Sequence, residues 1–227
     1  LRSDEINLSF FQKLIDNFFK FLIKLFKKLW SNQLDILPLF PLKLVLLPYE
    51  ILPLHIFEPR YKKMVKNAIE NQEPFGIVLK DEEGVYHRGC RVEITKILQQ
   101  YPNGEYDIIV KGIERFKVLS TEKDGDMVYG KIEYIPISIE TDLKLIDDVQ
   151  DSYLKILLRY GIDSDMEMHM NKKISYEYVK GIQLPIILKK ELINMEHETD
   201  RLAFIKNIFD NILKQSNKLE NGNFPEA

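Results

Sequence analysis

The feature that most constrains this chain is the period of its apolar residues, which changes twice along the sequence. From about Phe10 to Trp30, Lys13, Asp16, Asn17, Lys20, Lys24, Lys27 and Lys28 recur every three or four residues, so a helix would stack them in one stripe. The opposite face carries Phe11, Leu14, Ile15, Phe18, Leu22, Leu25, Phe26 and Leu29, widened by Phe19, Phe21 and Trp30. Burying one Leu or Phe is worth roughly 1.5–3 kcal/mol, so a face this broad must find a partner. Own-domain packing, a second copy, or an anionic membrane surface facing the lysines would each cover it.

From Leu34 to about Pro136 the period is strand-like. Ile36-Leu37-Pro38-Leu39-Phe40 and Leu44-Val45-Leu46-Leu47 are short apolar runs punctuated by Pro41 and Pro48, and Phe75 to Leu79 is a third. Val92 and Ile94 alternate with Glu93, and Ile97 stays in step only if a bulge precedes it. Tyr101-Pro102-Asn103-Gly104-Glu105-Tyr106 predicts a hairpin turn, because Asn-Gly accepts positive φ at both central positions. Ile108 and Val110, Phe116 and Val118, then Val128, Ile132 and Tyr134 continue the pattern. Glu58-Pro59-Arg60-Tyr61 opens a helix through Ile69, with Pro where its missing N–H costs nothing. Many short strands with one helix predict a small, partly closed barrel.

After Pro136 the chain turns helical. Ile146, Val149, Tyr153, Leu157 and Tyr160 fall at spacings of three and four, ending at Gly161. A polar connection, Asp163 to Lys173, leads to a short helix near Tyr176 to Gly181. Pro185 starts the next helix, through Met195, and Thr199 is the expected N-cap of the last. Its inner face would be Leu202, Ile205, Phe209 and Ile212. The whole reads as α+β: an N-terminal amphipathic helical extension over residues 1–33, a β-rich subdomain over 34–137, a helical subdomain over 138–220 and a flexible tail over 221–227.

Composition excludes several classes. With 45% hydrophobic residues and a net charge of −3 the chain is neither disordered nor strongly basic, so nucleic acid finds no global attraction. A single cysteine, Cys90, excludes an intramolecular disulfide framework and fits a reducing compartment, hence a cytoplasmic location, peripheral at a membrane if the first helix lies there. Lysines interrupt every long apolar stretch, so neither a membrane span nor a signal peptide is expected. Leu1 in place of Met suggests that further residues precede it.

Leu37-Pro38-Leu39-Phe40-Pro41-Leu42, then Val45, Leu46 and Pro48, then Leu52-Pro53-Leu54-His55-Ile56-Phe57-Glu58-Pro59-Arg60-Tyr61, closely resemble the opening of Lon protease N-terminal substrate-binding domains. Phe75-Gly76-Ile77-Val78, Gly89-Cys90, Gly112-Ile113-Glu114-Arg115-Phe116, Leu184-Pro185 and Asp200-Arg201-Leu202 follow in the family's order, so the resemblance covers about residues 34–214. It implies a PUA-like β pseudo-barrel followed by a helical bundle, a unit that in full-length Lon helps select unfolded or damaged proteins. The N-terminal helix has no counterpart in that pattern. No Gly-x-x-x-x-Gly-Lys-Ser/Thr phosphate loop occurs in these 227 residues, and the peptidase part is missing too.

Chemical readings of individual residues compete with plainer ones. His55 and Glu58 would make an acid–base pair, but a helix start explains the same run, with Glu58 capping, Arg60 in the first turn and Phe57 and Tyr61 packed inward. The histidines (His55, His87, His169, His197) form no metal-binding pair in sequence. Met166, Met168, His169 and Met170 would suit Cu(I), though methionines filling gaps between helices are the plainer account. Cys90, with Arg88 and Arg91 nearby, is a nucleophile only if its thiolate is stabilised; at a strand start it reads as a small buried residue. Ser138, Ser152 and Ser164 lack a nucleophile elbow.

The expectation is therefore a non-catalytic module with no cofactor or metal, holding exposed apolar segments of unfolded or client proteins. Leu46, Pro48, Leu54, Phe57 and Tyr61 are the candidate peptide-binding residues. Phe11, Leu14, Phe18, Leu22, Leu25, Phe26 and Leu29 are the candidate contact face of the first helix, for self-docking or a homo-oligomer. The alternatives are an RNA-binding PUA-like module, for which no basic-aromatic stripe stands out, and an adaptor anchored at a membrane surface.

Overall fold

The structure, a computed structural model, describes residues 35–137, 142–161, 169–170 and 172–220. The expected first helix and its contact face, Ser138, Ser164, Met166, Met168 and the tail over 221–227 lie outside the described residues. Six strands come first: β1 (Asp35–Leu42), β2 (Ile51–Ile56), β3 (Phe75–Asp81), β4 (Gly84–Gln100), β5 (Tyr106–Asp124) and β6 (Met127–Ile135). Helix α1 (Pro59–Asn71) separates β2 from β3. Helices α2 (Leu143–Arg159), α3 (Ser175–Val179), α4 (Ile186–Asn194) and α5 (Glu198–Glu220) follow the strands.

Pairing closes the strands into a ring. β5 bonds β4, β4 bonds β3, β3 bonds β1 and β1 bonds β6, which returns to β5. Only β1 and β3 run parallel. β2 joins outside the ring, antiparallel to the first half of β5 from Ile51↔Lys111 to Ile56↔Tyr106. The bulge needed to keep Ile97 in step is present: the β4–β5 register shifts between Ile94 and Lys96, so Ile94 and Ile97 share a face. The hairpin at Tyr101 forms, but differently from the Asn-Gly expectation. Gly104 alone takes positive φ (+79°), and its N–H donates to the Tyr101 carbonyl at 2.9 Å. Pro102 thus sits where a turn of this kind favours it, ahead of a left-handed glycine in a three-residue loop.

The apolar run Leu44–Leu47 is no strand. Its backbone turns back at Tyr49 (φ 68°), and two bonds tie it to β5: Tyr49 N–H to the Gly112 carbonyl (2.8 Å) and Gly112 N–H to the Glu50 carbonyl (2.9 Å). Leu46 enters the barrel core with Phe40, Ile56, Tyr61, Val92 and Ile108. Val45 and Leu47 point the other way, into the helical core of Val149, Tyr153, Tyr176, Leu202 and Phe209. The loop therefore joins the two cores; its apolar residues mark burial on both sides, not ladder pairing.

The helices follow the apolar period closely. Asp142 caps α2, its carboxylate accepting from the N–H groups of Lys144 (3.0 Å) and Leu145 (3.3 Å), and Gly161 takes φ +61° beyond the other end. Tyr160, expected on the inner face, is 57% exposed because the helix ends before it. The last helix opens at Glu198, so Thr199 lies within it and is not the cap. Leu202, Ile205 and Phe209 are fully buried as expected, and Ile212 packs at the edge of that core. Among the described residues no helix is long and apolar enough to cross a membrane.

Candidate peptide-binding groove

β4 is much longer than the strand beside it. β3 has 7 residues and β4 has 17, and their pairing stops at Phe75↔Val92. Gln72 takes a left-handed conformation as the C-cap of α1, and Pro74, lacking an N–H, stands just before β3. From Glu93 to Gln100, β4 is bonded to β5 on one side and to no described strand on the other. Its open edge is a row of backbone donors and acceptors of the kind that pairs with an added strand.

A groove of about 650 Å³ runs between this edge and the end of α1. Ala68 and Ile69 line one wall, Ile94 and Ile97 the other, with Phe75 at the end and Glu73, Arg91, Glu93 and Lys96 among the polar lining residues. Ile97 is 44% exposed, an unusual placement for a residue on the inward-facing row of a strand. No single charge dominates this lining.

The residues singled out from sequence lie elsewhere. Leu46 (4% exposed), Tyr61 (5%) and Pro48 are buried, so their side chains have no free area for a peptide in this conformation. Leu54 is half-buried opposite Ile108 and packs on the barrel core. Phe57, expected to point inward, is 58% exposed and stacks on His55 at 5.9 Å. Ile56 takes the last inward position of β2, so the alternation sends Phe57 out. None of the five lines the groove. Neither β4 nor its neighbour looks unusual in sequence; the one legible hint was a long strand-like run opposite a short one that starts after a proline.

The chemical candidates resolve into structural roles. His55 pairs not with Glu58 but with Asp107 (Nδ1 to Oδ1, 2.7 Å), and the Tyr101 hydroxyl donates to the same carboxylate at 2.6 Å. Those bonds, Tyr101's first, hold the half-buried Asp107 carboxyl below its ordinary pKa. Glu58 is the N-cap of α1 by backbone alone; its carboxylate instead binds Arg60 (2.6 Å). Cys90 lies mid-strand in β4, fully buried, and burial pushes its thiol up to about 12, the reverse of an activated nucleophile. His169 shares a 2.7 Å hydrogen bond with the Tyr153 hydroxyl, and the Ser152 hydroxyl donates to Asp210 at 3.0 Å. Among the described residues no group of three His, Cys, Asp or Glu side chains is placed to hold a metal ion.

What the motifs do encode is packing. A Cβ on Gly76 or Gly89 would lie 2.6 or 2.5 Å from the Phe116 ring, so two glycines on adjacent strands make room for one phenyl. On Gly112 it would meet the Leu47 carbonyl oxygen at 2.4 Å. Arg115 and Arg201, both fully buried, converge on the chain between α4 and α5. Arg115 donates to the carbonyls of Ile193 (3.3 Å), Met195 and Glu196 (3.1 Å), and Arg201 to those of Met195 (2.6 Å) and Glu196 (3.1 Å). Arg201 also binds the Glu198 carboxylate at 2.6 Å, and Glu198 in turn accepts from the N–H and hydroxyl of Ser175. These contacts fasten the helices to the barrel.

With that arrangement in view, the family model described as the ATP-dependent protease La (LON) substrate-binding domain matches residues 36–216. The chain belongs to this family. Among relatives of the LON domain, a Lon protease from Cytophaga hutchinsonii is 24% identical over 195 residues, covering 78% of this chain and 24% of that protein. Protein cereblon from Gallus gallus is 31% identical over 113 residues, covering 47% of this chain and 25% of that protein. The chain spans 15% to 25% of the length of the curated relatives it matches. Among solved structures, the N-terminal domain of Mycobacterium avium complex Lon protease aligns with a TM-score of 0.64 at 14% identity, covering 78% of this chain and 98% of that one. The Lon N-terminal domain protein from Xanthomonas campestris aligns at 0.59 and 22% identity, covering 74% and 95%. The glycines around Phe116 and the arginines at Met195 and Glu196 thus belong to a LON fold.

Proposed function

We propose that this chain is a protein-binding module that holds an extended apolar segment of a client protein along the open edge of β4. The observation that carries the reading is the juxtaposition of unpaired strand edge and apolar groove within a LON substrate-binding domain. Backbone bonding to β4 would supply sequence-tolerant affinity, and alternate side chains entering between Ile69, Ile94 and Ile97 would select for apolar clients. The role is to hold, not to transform. The closed strand ring followed by helices supports a PUA-like pseudo-barrel with an appended helical bundle, divided near residue 137. The lining mixes Glu73 and Glu93 with Arg91 and Lys96, which favours a peptide over RNA, whose phosphates need a basic groove. A buried free thiol at Cys90 supports a cytoplasmic setting.

Fluorescein-labelled, reduced and carboxymethylated α-lactalbumin serves as an unfolded probe for anisotropy titration. Ile97→Glu places a charge on a part-exposed groove wall and should weaken binding at least tenfold. Leu119→Glu, at a residue as exposed as Ile97 but on β5, outside the groove lining and away from the open β4 edge, should leave it unchanged. Equal affinities for both variants and the parent would locate binding elsewhere and defeat the assignment.

A further inference from the structure

We propose that the groove's resting occupant is this chain's own segment Phe10–Trp30, held in cis until a client displaces it; the proposal rests on the peptide-holding reading above. Position comes first. β1 runs parallel to β3 with Leu39 beside Gly76, while Phe75 lies beside Val92 of β4. Asp35 to Leu37 therefore continue past the start of β3 in the same direction as β4 continues past Val92. Asp35 and the open edge lie at one end of the barrel, two strand lanes apart, about 10 Å at ordinary sheet spacing. Trp30 is five residues upstream of Asp35 and so within about 17 Å of it at full extension.

Composition and charge point the same way. Phe18, Leu22, Leu25 and Phe26 are the side-chain types a groove walled by Ile69, Ile94 and Ile97 would take up. Residues 1–34 hold six Lys or Arg and three Asp or Glu, a charge of +3; the whole chain carries −3, so the remainder carries −6. The segment is therefore drawn to the body that follows it. A short tether gives an effective concentration on the order of 1 mM. If the segment's own dissociation constant is about 100 µM, a competing client is weakened about tenfold.

Trp30 is the only tryptophan in the chain, so its fluorescence reports on the segment in the full-length protein. Acrylamide quenching should be weak in the parent and in Leu119→Glu, independent of protein concentration, and strong in Ile97→Glu. The full-length triple variant Phe18→Glu, Leu22→Glu, Leu25→Glu should bind the carboxymethylated α-lactalbumin probe about ten times more tightly. If Ile97→Glu abolishes probe binding while Trp30 quenching stays as in the parent, or if the triple variant binds no better, cis occupancy is overturned and the groove reading survives. Shielding of Trp30 that fades on dilution assigns the segment to a second copy, and shielding that needs phosphatidylserine vesicles assigns it to a membrane; either result overturns the proposal. Probe binding indifferent to Ile97→Glu would instead remove the groove reading itself.

Discussion

Arg201→Met tests whether the buried cluster between barrel and helices holds the fold together. Arg201 is 0% exposed and its partner Glu198 has a side chain only 1% exposed, so neither charge can turn to solvent if the other is removed. Methionine keeps most of the volume of the arginine stem but removes the donors at 2.6 and 3.0 Å from the Glu198 carboxylate. Ser175 would remain as that carboxylate's hydrogen-bond donor, and Arg115 would still reach the carbonyls of Met195 and Glu196. The loss is thus concentrated on one uncompensated buried anion, which costs about 3–5 kcal/mol. At a urea m-value of about 2–3 kcal/mol/M, the midpoint should fall by roughly 1–2.5 M. Adding Glu198→Gln removes the orphaned charge, so the double variant should regain about 2–3 kcal/mol relative to Arg201→Met alone. Far-UV circular dichroism against urea measures both. A single-variant shift under about 0.5 M, or a double variant no more stable than the single one, would refute the account of a coupled buried pair.

Two further outcomes follow from the packing. Gly89→Ala would ordinarily favour a strand by about 0.5–1 kcal/mol, but here its Cβ would lie 2.5 Å from Phe116 and 2.7 Å from Val78. Overpacking of about 1–3 kcal/mol should win, partly relieved by Phe116→Leu; a urea midpoint equal to the parent's would contradict the close packing. Cys90, its thiol pushed up to about 12, should have roughly one part in ten thousand as thiolate at pH 8. Iodoacetamide should therefore leave it unmodified under native conditions and react promptly in urea; labelling at the denatured rate without denaturant would mean that β4 opens.

The run from Leu52 to Tyr61 encodes local structure more than surface. Its pattern is specific enough to mark a LON domain, yet most of what it specifies is local: a strand, a proline-opened helix and inward positions for Ile56 and Tyr61. The pattern does not tell covered from open positions: Tyr61 is buried, as are Leu46 and Pro48 upstream of the run, while Phe57, expected inward at a helix start, is exposed, because an apolar side chain carries no mark of whether the fold will cover it. The motifs at Gly76, Gly89 and Phe116 likewise look like separate signatures along the chain. Only the β3–β4–β5 register brings them around one ring.

The amino-acid order by itself determined the elements: the change from alternating to helical apolar period near Pro136, the Pro59 helix start, the turn at Tyr101–Glu105, the bulge before Ile97 and the inner face of the last helix. Each of these is settled by neighbours within a few residues, through dihedral preference and the side a residue faces. Tertiary structure alone decided that the strands close into a ring, that β4 outruns β3 and leaves an edge open beside Ile69, and that Glu198, Arg201 and Arg115 meet at one buried turn. Those features belong to pairs of segments tens of residues apart. A period fixes which face of an element is apolar; which distant element comes to cover that face, or fails to, is settled only when the whole chain packs.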